Sequence, residues 1–78
     1  MADLKATLID IAKAIVDSPD EVAVVQTEDE NSITLTLNVA SEEKGMVIGR
    51  HGKIAKAIRT VIKAASASTG KKVSVDIP

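Results

Sequence analysis

The chain contains no cysteine, phenylalanine, tyrosine or tryptophan. Without cysteine there is no disulfide, no thiolate metal site and no thiol nucleophile. A single histidine among scattered carboxylates argues against a structural zinc site, so no metal or other cofactor is expected. Without aromatic rings, a nucleic-acid surface built on stacked side chains is disfavoured, and any base-binding wall must be aliphatic. Long apolar runs are missing as well. The longest, Val22-Ala23-Val24-Val25, is far too short to span a bilayer. The start of the chain carries Asp3 and no apolar signal core, so a soluble cytoplasmic protein is expected, with no membrane and no small-molecule substrate.

Seventy-eight residues suit one domain, expected to span residues 1–78. A chain of this length buries only about 60–65% of its unfolded surface. The net charge of −1 hides a strong asymmetry. Residues 1–43 carry two lysines against ten acids, a net of −8, and residues 44–78 carry six lysines and two arginines against Asp76 alone, a net of +7. Such polarity points to an anionic partner for the basic half. The alternatives are mutual neutralisation within the fold and pairing of acidic and basic faces between subunits.

Apolar periodicity divides the chain into six elements. Leu4, Leu8, Ile11, Ala12 and Ile15 recur at helical spacing, predicting a helix over residues 3–17 with Asp3 as N-cap. Ser18-Pro19-Asp20 stops it. Residues 21–28 read as a strand. Residues 32–40 read as a second, with Ile33, Leu35, Leu37 and Val39 on one face and Ser32, Thr34, Thr36 and Asn38 on the other. The turn Asp29-Glu30-Asn31 makes the pair an antiparallel hairpin. Ser41 reads as the N-cap of a short helix over residues 42–48, with Glu42 and Glu43 in its first turn. A longer helix is predicted over residues 53–68, with Ile54, Ile58, Val61, Ile62 and Ala65 inward and Lys53, Lys56, Arg59 and Lys63 on the opposite arc. Ser68-Thr69-Gly70 closes it, and a last strand alternates at Val73, Val75 and Ile77. The crossover from the second to the last strand is long enough for the two to lie parallel.

The stretch that organises the chain is Val47-Ile48-Gly49-Arg50-His51-Gly52-Lys53-Ile54. Gly49 stops one helix, and the next begins directly after Gly52. The second helix turns its free N–H groups and positive dipole end toward the bend. A small turn with open amides and a nearby arginine suits a phosphate group. Gly45, inside the short helix, costs about 1 kcal/mol relative to alanine. Close approach of an outside body to that backbone, or simple tolerance, accounts for it.

Element order, together with an aliphatic pair, Gly49-Arg50-His51-Gly52 and an amphipathic helix, resembles a type II KH domain. The run Lys56-Ala57-Ile58-Arg59-Thr60-Val61-Ile62 makes the chain most similar to the KhpA family of small stand-alone bacterial KH proteins. One departure is that Ala55 stands where such domains usually carry a larger aliphatic residue, with Ile54 one place early. The resemblance implies an α+β fold of order α-β-β-α-α-β, a three-stranded mixed sheet with three helices on one face. It implies single-stranded RNA as ligand. Gly49 and Gly52 would admit phosphates to the backbone, Arg50 and His51 would donate, and Lys53 and Lys56 would add phosphate contacts. Gly45, Val47 and Ile48, with Ile54, Ile58 and part of the second strand, would form an aliphatic groove for about four nucleotides. Arg59, Lys63, Lys71 and Lys72 are secondary candidates. The resemblance further implies a homodimer, or a heterodimer with a larger KH-containing RNA-binding protein, and a role as RNA chaperone or post-transcriptional regulator touching cell shape and the cell wall.

Two rivals stand beside this reading. Two helices joined by a glycine turn also fit a helix-turn-helix binder of duplex DNA, although strands flank the pair here. The other rival is a protein-interaction or dimerisation module with weak or lost nucleic-acid binding. No nucleophile–base pair is visible, and the turn lacks the Gly-Lys-Ser/Thr ending of a P-loop, so an enzyme is not expected.

Overall fold

A computed structural model of the chain describes residues 3–78. Its six main elements are α1 (Leu4–Ile15), β1 (Ala23–Glu28), β2 (Ser32–Asn38), α2 (Lys44–Ile48), α3 (Lys53–Ala65) and β3 (Lys72–Asp76). The sheet order is β1-β2-β3. β1 and β2 pair antiparallel, with Val24 opposite Leu37. β2 and β3 pair parallel, with Leu35 opposite Val75. This is the α+β, α-β-β-α-α-β architecture implied by the resemblance. No described helix is long and apolar enough to cross a membrane.

Asp3 caps α1 by accepting the Ala6 N–H at 3.2 Å. The helix ends earlier than residue 17, because Val16 turns extended and its side chain is buried. The chain is then held from a distance: buried Glu43 accepts the Ser18 N–H on Oε1 at 3.0 Å. Glu21 belongs to a 3₁₀ turn, Pro19–Glu21, and not to the first strand. The alternation read in β2 holds over Ile33, Leu35 and Leu37, all buried, and the strand ends at Asn38 instead of residue 40. With Leu8, Val47 and Ile62, Leu35 and Leu37 are among the fully buried side chains of a purely aliphatic core.

Four expectations are corrected. Ser41 makes no side-chain cap; a 3₁₀ turn over Ser41–Glu43 precedes α2, and the Ala40 carbonyl accepts the Glu43 N–H at 2.8 Å. Glu43 accordingly points inward to Ser18 and not to the dipole of the following helix. The inward face of α3 is Ala55, Ile58 and Ile62, while Ile54 and Val61 are exposed. Its rotation is set by docking on β3 and α1, which places the small Ala55 against the core. α3 also stops at Ala65 instead of residue 68. The Ser66 hydroxyl bonds the Lys63 carbonyl at 2.8 Å, and a 3₁₀ turn over Ala67–Thr69 leads to Gly70 at φ 72°.

The hairpin turn is tied to the start of β3. Lys71 pairs with the Glu28 carboxylate and donates to the Asp29 carbonyl at 3.0 Å. Asp29 Oδ1 accepts the N–H groups of Asn31 and Ser32 at 2.8 and 2.7 Å. The Lys71 ammonium, by hydrogen bond and charge, holds the Glu28 carboxyl below the usual glutamate range. The backbone N–H groups of Asn31 and Ser32 do the same for Asp29.

Two outcomes are expected. Ile62→Ala destabilises the domain by about 2–5 kcal/mol, whereas Val61→Ala stays within about 0.5 kcal/mol of wild type; urea unfolding measures both. Carboxyls with depressed folded pKa values stabilise above their unfolded values and lose that contribution as pH falls through the folded ones. The thermal midpoint therefore drops on acidification below about pH 4.5. The drop is smaller in a Glu28→Gln, Asp29→Asn double variant, as followed by circular dichroism.

Candidate nucleic-acid interface

α2 is only five residues long and ends on Gly49, whose N–H still bonds the Gly45 carbonyl at 2.8 Å. Gly49 then adopts φ 76°, ψ 174°, a region open to glycine and strained for other residues. His51 (φ 57°) and Gly52 (φ 73°) are both left-handed. The Gly52 N–H returns to the Gly49 carbonyl at 3.2 Å, and the Lys53 N–H to that of Arg50. So the chain reverses within four residues, three of them at positive φ.

The two glycines have different reasons to be glycine. A Cβ at Gly49 would lie 2.6 Å from Ile54 Cγ1 and 2.9 Å from the Ile54 backbone nitrogen. Ile54 is thus folded over Gly49, which is why it leaves the core to Ala55. A Cβ at Gly52 would meet nothing within 4 Å. Gly52 is required only by its backbone angle, and the space before it is open. Gly45 in α2 has a helical backbone instead, and it too is exposed and without a neighbour for a Cβ.

Arg50, His51, Lys53 and Lys56 are exposed around the bend. No side chain caps the start of α3, and no acidic residue lies in its first turn. The Lys53 N–H is taken by the Arg50 carbonyl, and the positive end of the dipole of α3 faces the turn with no acidic side chain opposing it. Ile48 is exposed beside it. Val47 and Ile58 depart from that reading. They are 0% and 3% exposed, so they belong to the core and only back the surface from beneath. β2 is the central strand, paired on both edges and packed on its inner face, so it does not border the space beside α3 and β3; its Ile33 lines a separate cavity of about 420 Å³ with Leu4, Gln26 and Thr69.

A groove runs between α3 and the open edge of β3. Arg59, Lys63, Val73 and Val75 line one part, about 250 Å³. Lys63, Ser66, Gly70, Lys72 and Val73 line its continuation, about 330 Å³. The sequence reads Val73 and Val75 only as alternating positions of the last strand. Their place at an edge follows from the parallel pairing of β3 with β2, which a long crossover already permitted. Arg59 Nε donates to the Val75 carbonyl across this groove at 3.3 Å. Lys71 lies at the far end and is already engaged by Glu28.

The electrostatics follow. Among the described residues, the one ion pair is Lys71–Glu28, so neutralisation within the fold does not reach the cations of the bend and α3. A cationic track extends from Arg50 through Lys53, Lys56, Arg59 and Lys63, and the floor of its second half is aliphatic.

The turn makes a clear stability prediction. Gly52→Ala costs about 1–2 kcal/mol, the left-handed penalty alone. Gly49→Ala costs more, because steric overlap with Ile54 adds to backbone strain. Denaturant midpoints of the two variants, measured side by side, give the order.

Comparison with known proteins places the chain in a family. Residues 5–77 match the family model described as KhpA/KhpB, KH domain. The chain is 55% identical over 74 residues to the RNA-binding protein KhpA of Clostridium acetobutylicum, covering 95% of this chain and 99% of that one. It is 39% identical to the RNA-binding protein KhpA of Bacillus subtilis, covering 95% and 91%. Among solved structures, Era from Aquifex aeolicus bound to GDP and aluminium fluoride superposes with a TM-score of 0.69 at 16% identity. That match covers 95% of this chain and 29% of Era, and at such identity it shows the fold alone. Era in complex with MgGDPNP and nucleotides 1506–1542 of 16S ribosomal RNA superposes at 0.63, also at 16% identity, over 95% of this chain and 28% of that one.

Proposed function

The chain belongs to the KhpA/KhpB KH-domain family, and from that premise we propose that it binds single-stranded RNA without catalysing a reaction on it. The observation that carries the reading is the bend between α2 and α3. Its left-handed residues bring an uncapped helix start, an open glycine and two exposed donors to one point. A phosphate there accepts from backbone N–H groups at the positive end of α3. Gly52 puts no side chain in its way, and Arg50 adds a forked, permanently charged donor. Lys53 and Lys56 meet neighbouring phosphates, and Gly45 and Ile48 form the near wall.

From the bend, the strand continues along the groove between α3 and β3. Arg59 and Lys63 offer charge there, and Val73 and Val75 offer an aliphatic floor for the bases. This arrangement suits a protein without rings, since bases then pack on methyl groups and present their edges to polar atoms. Duplex DNA fits less well: α2 is too short for the leading helix of a helix-turn-helix, and the sheet flanks the pair.

The family reading extends to a protein partner, either a second copy of this chain or a larger KH protein. Val61 lies seven residues after Ile54 and so on the same flank of α3, and both are exposed. That apolar flank is a surface for the partner to cover, which would leave the β3 side free for RNA. Acting in this way as an RNA chaperone or post-transcriptional regulator requires only weak, reversible contacts.

The test uses Gly52→Asp, because aspartate tolerates the left-handed region and nothing there clashes. The variant should keep its far-ultraviolet circular dichroism and lose about tenfold or more in affinity for single-stranded RNA. With two to four phosphates held, the slope of log affinity against log salt for wild type should be about −1.5 to −3. Unchanged affinity in the folded variant would move the function to protein interaction, and preference for duplex DNA would move it to the helix-turn-helix reading.

A further inference from the structure

We propose that the free edge of β1 takes up an extended, lysine- or arginine-bearing segment of a partner protein as a fourth strand of the sheet. The proposal stands apart from the RNA-binding reading and concerns the opposite edge of the sheet. Asp29 donates its N–H to the Ser32 carbonyl at 2.9 Å, so that pair is hydrogen-bonded across the hairpin. The register then makes Thr27–Thr34 and Val25–Thr36 hydrogen-bonded pairs as well, and it turns the N–H and C=O of Val24, Gln26 and Glu28 away from β2. Among the described residues, no turn, loop or cap hydrogen bond reaches those backbone groups. Three donor–acceptor pairs in a row are a template for another strand.

Open edges are commonly blunted by lysine, proline or a bulge. β1 has none of these. Its register with β2 runs unbroken from Ala23 to Glu28, and its one charge, Glu28, is engaged by Lys71. Val25 is 55% exposed on the outer face of the sheet, more than Val61 at 48%. A β-branched residue on an added strand would cover it. Charge identifies the occupant. Residues 17–31 hold six acids and no lysine, arginine or histidine. Asp20 and Glu21 are exposed just before the strand, and Asp29 and Glu30 just after it. Lys5 and Lys13, the cations of the first 43 residues, lie on α1 and pair with none of these acids. A second copy pairing antiparallel through the same edge would bring the acids at one end of the strand against those at the other, and like charges oppose that. The β3 edge of another copy is a poor substitute, because Arg59 already holds its Val75 carbonyl. What fits is a foreign segment with β-branched residues in the middle and cations at both ends.

The experiment titrates the isotope-labelled full chain with an eight-residue peptide that has two lysines at each end and alternating valine and threonine between them. The same peptide with glutamates in place of the lysines is the comparison. Two-dimensional nuclear magnetic resonance reads both affinity and place. The lysine peptide should bind about tenfold or more tightly than the glutamate one, with the largest shifts at the amides of Val24, Gln26 and Glu28. Gln26→Pro deletes the central outward N–H without removing a bond to β2, and it should weaken lysine-peptide binding about tenfold. The triple variant Asp20→Asn, Glu21→Gln, Glu30→Gln removes exposed charge alone and should weaken it about fivefold. No binding of the lysine peptide overturns the proposal, as does equal binding of the glutamate one. Shifts centred away from β1 overturn it too, and so does an affinity that survives the triple variant or a folded Gln26→Pro. Self-association of wild type that Gln26→Pro abolishes would assign the edge to a second copy and overturn it as well.

Discussion

Ile54 lies over the bare Cα of Gly49, and the middle of the fold depends on that contact. A side chain at Gly49 has no room, so α2 and α3 meet at a bend too tight for any other residue. The bend sends α3 back across the sheet, and only then can β3 return parallel to β2. The same bend exposes the start of α3. Structure and site thus share one steric requirement. Ile54 is diverted from the core to meet it, and Ala55 fills the inward position instead.

Charge is segregated along the chain and stays so in three dimensions. Among the described residues the acidic half makes a single ion pair with the basic half, at Lys71 and Glu28. That pair fastens the hairpin turn to the entry of β3, at the end of the sheet away from the bend. The cations of α3 are spaced at three or four residues on an exposed flank, where like charges repel. A polyanion lying between α3 and β3, as proposed, would relieve that repulsion. Arg59 is the exception, because its guanidinium already leans on the Val75 carbonyl and shields part of an open sheet edge.

Much of the architecture was legible in the residues. Period-two alternation over Ile33, Leu35 and Leu37 located the central strand, and Asp3 and Pro19 bracketed the first helix. The two glycines located the bend. What failed was the facing of particular side chains. Ile54, Ile58, Val61 and Ile62 form a broad apolar arc, and periodicity cannot choose which part of a broad arc is inward. Val47 and Ile48 are adjacent on a single-turn helix, and nothing local separates the buried one from the exposed one. Glu43 reads as a first-turn acid, yet its partner is the Ser18 N–H, twenty-five residues earlier.

The residues by themselves determined where the chain alternates, where it must turn and where only glycine serves, because those constraints act within a few peptide units. They also determined that the core is aliphatic and that charge divides between the halves. Tertiary structure alone decided that β3 borders an open groove, since an edge strand is defined by the neighbours it lacks. It also decided that Arg59 spends a hydrogen bond on Val75, sixteen residues away. Contacts between distant segments set those outcomes, and no local pattern in the sequence encodes which segments will meet.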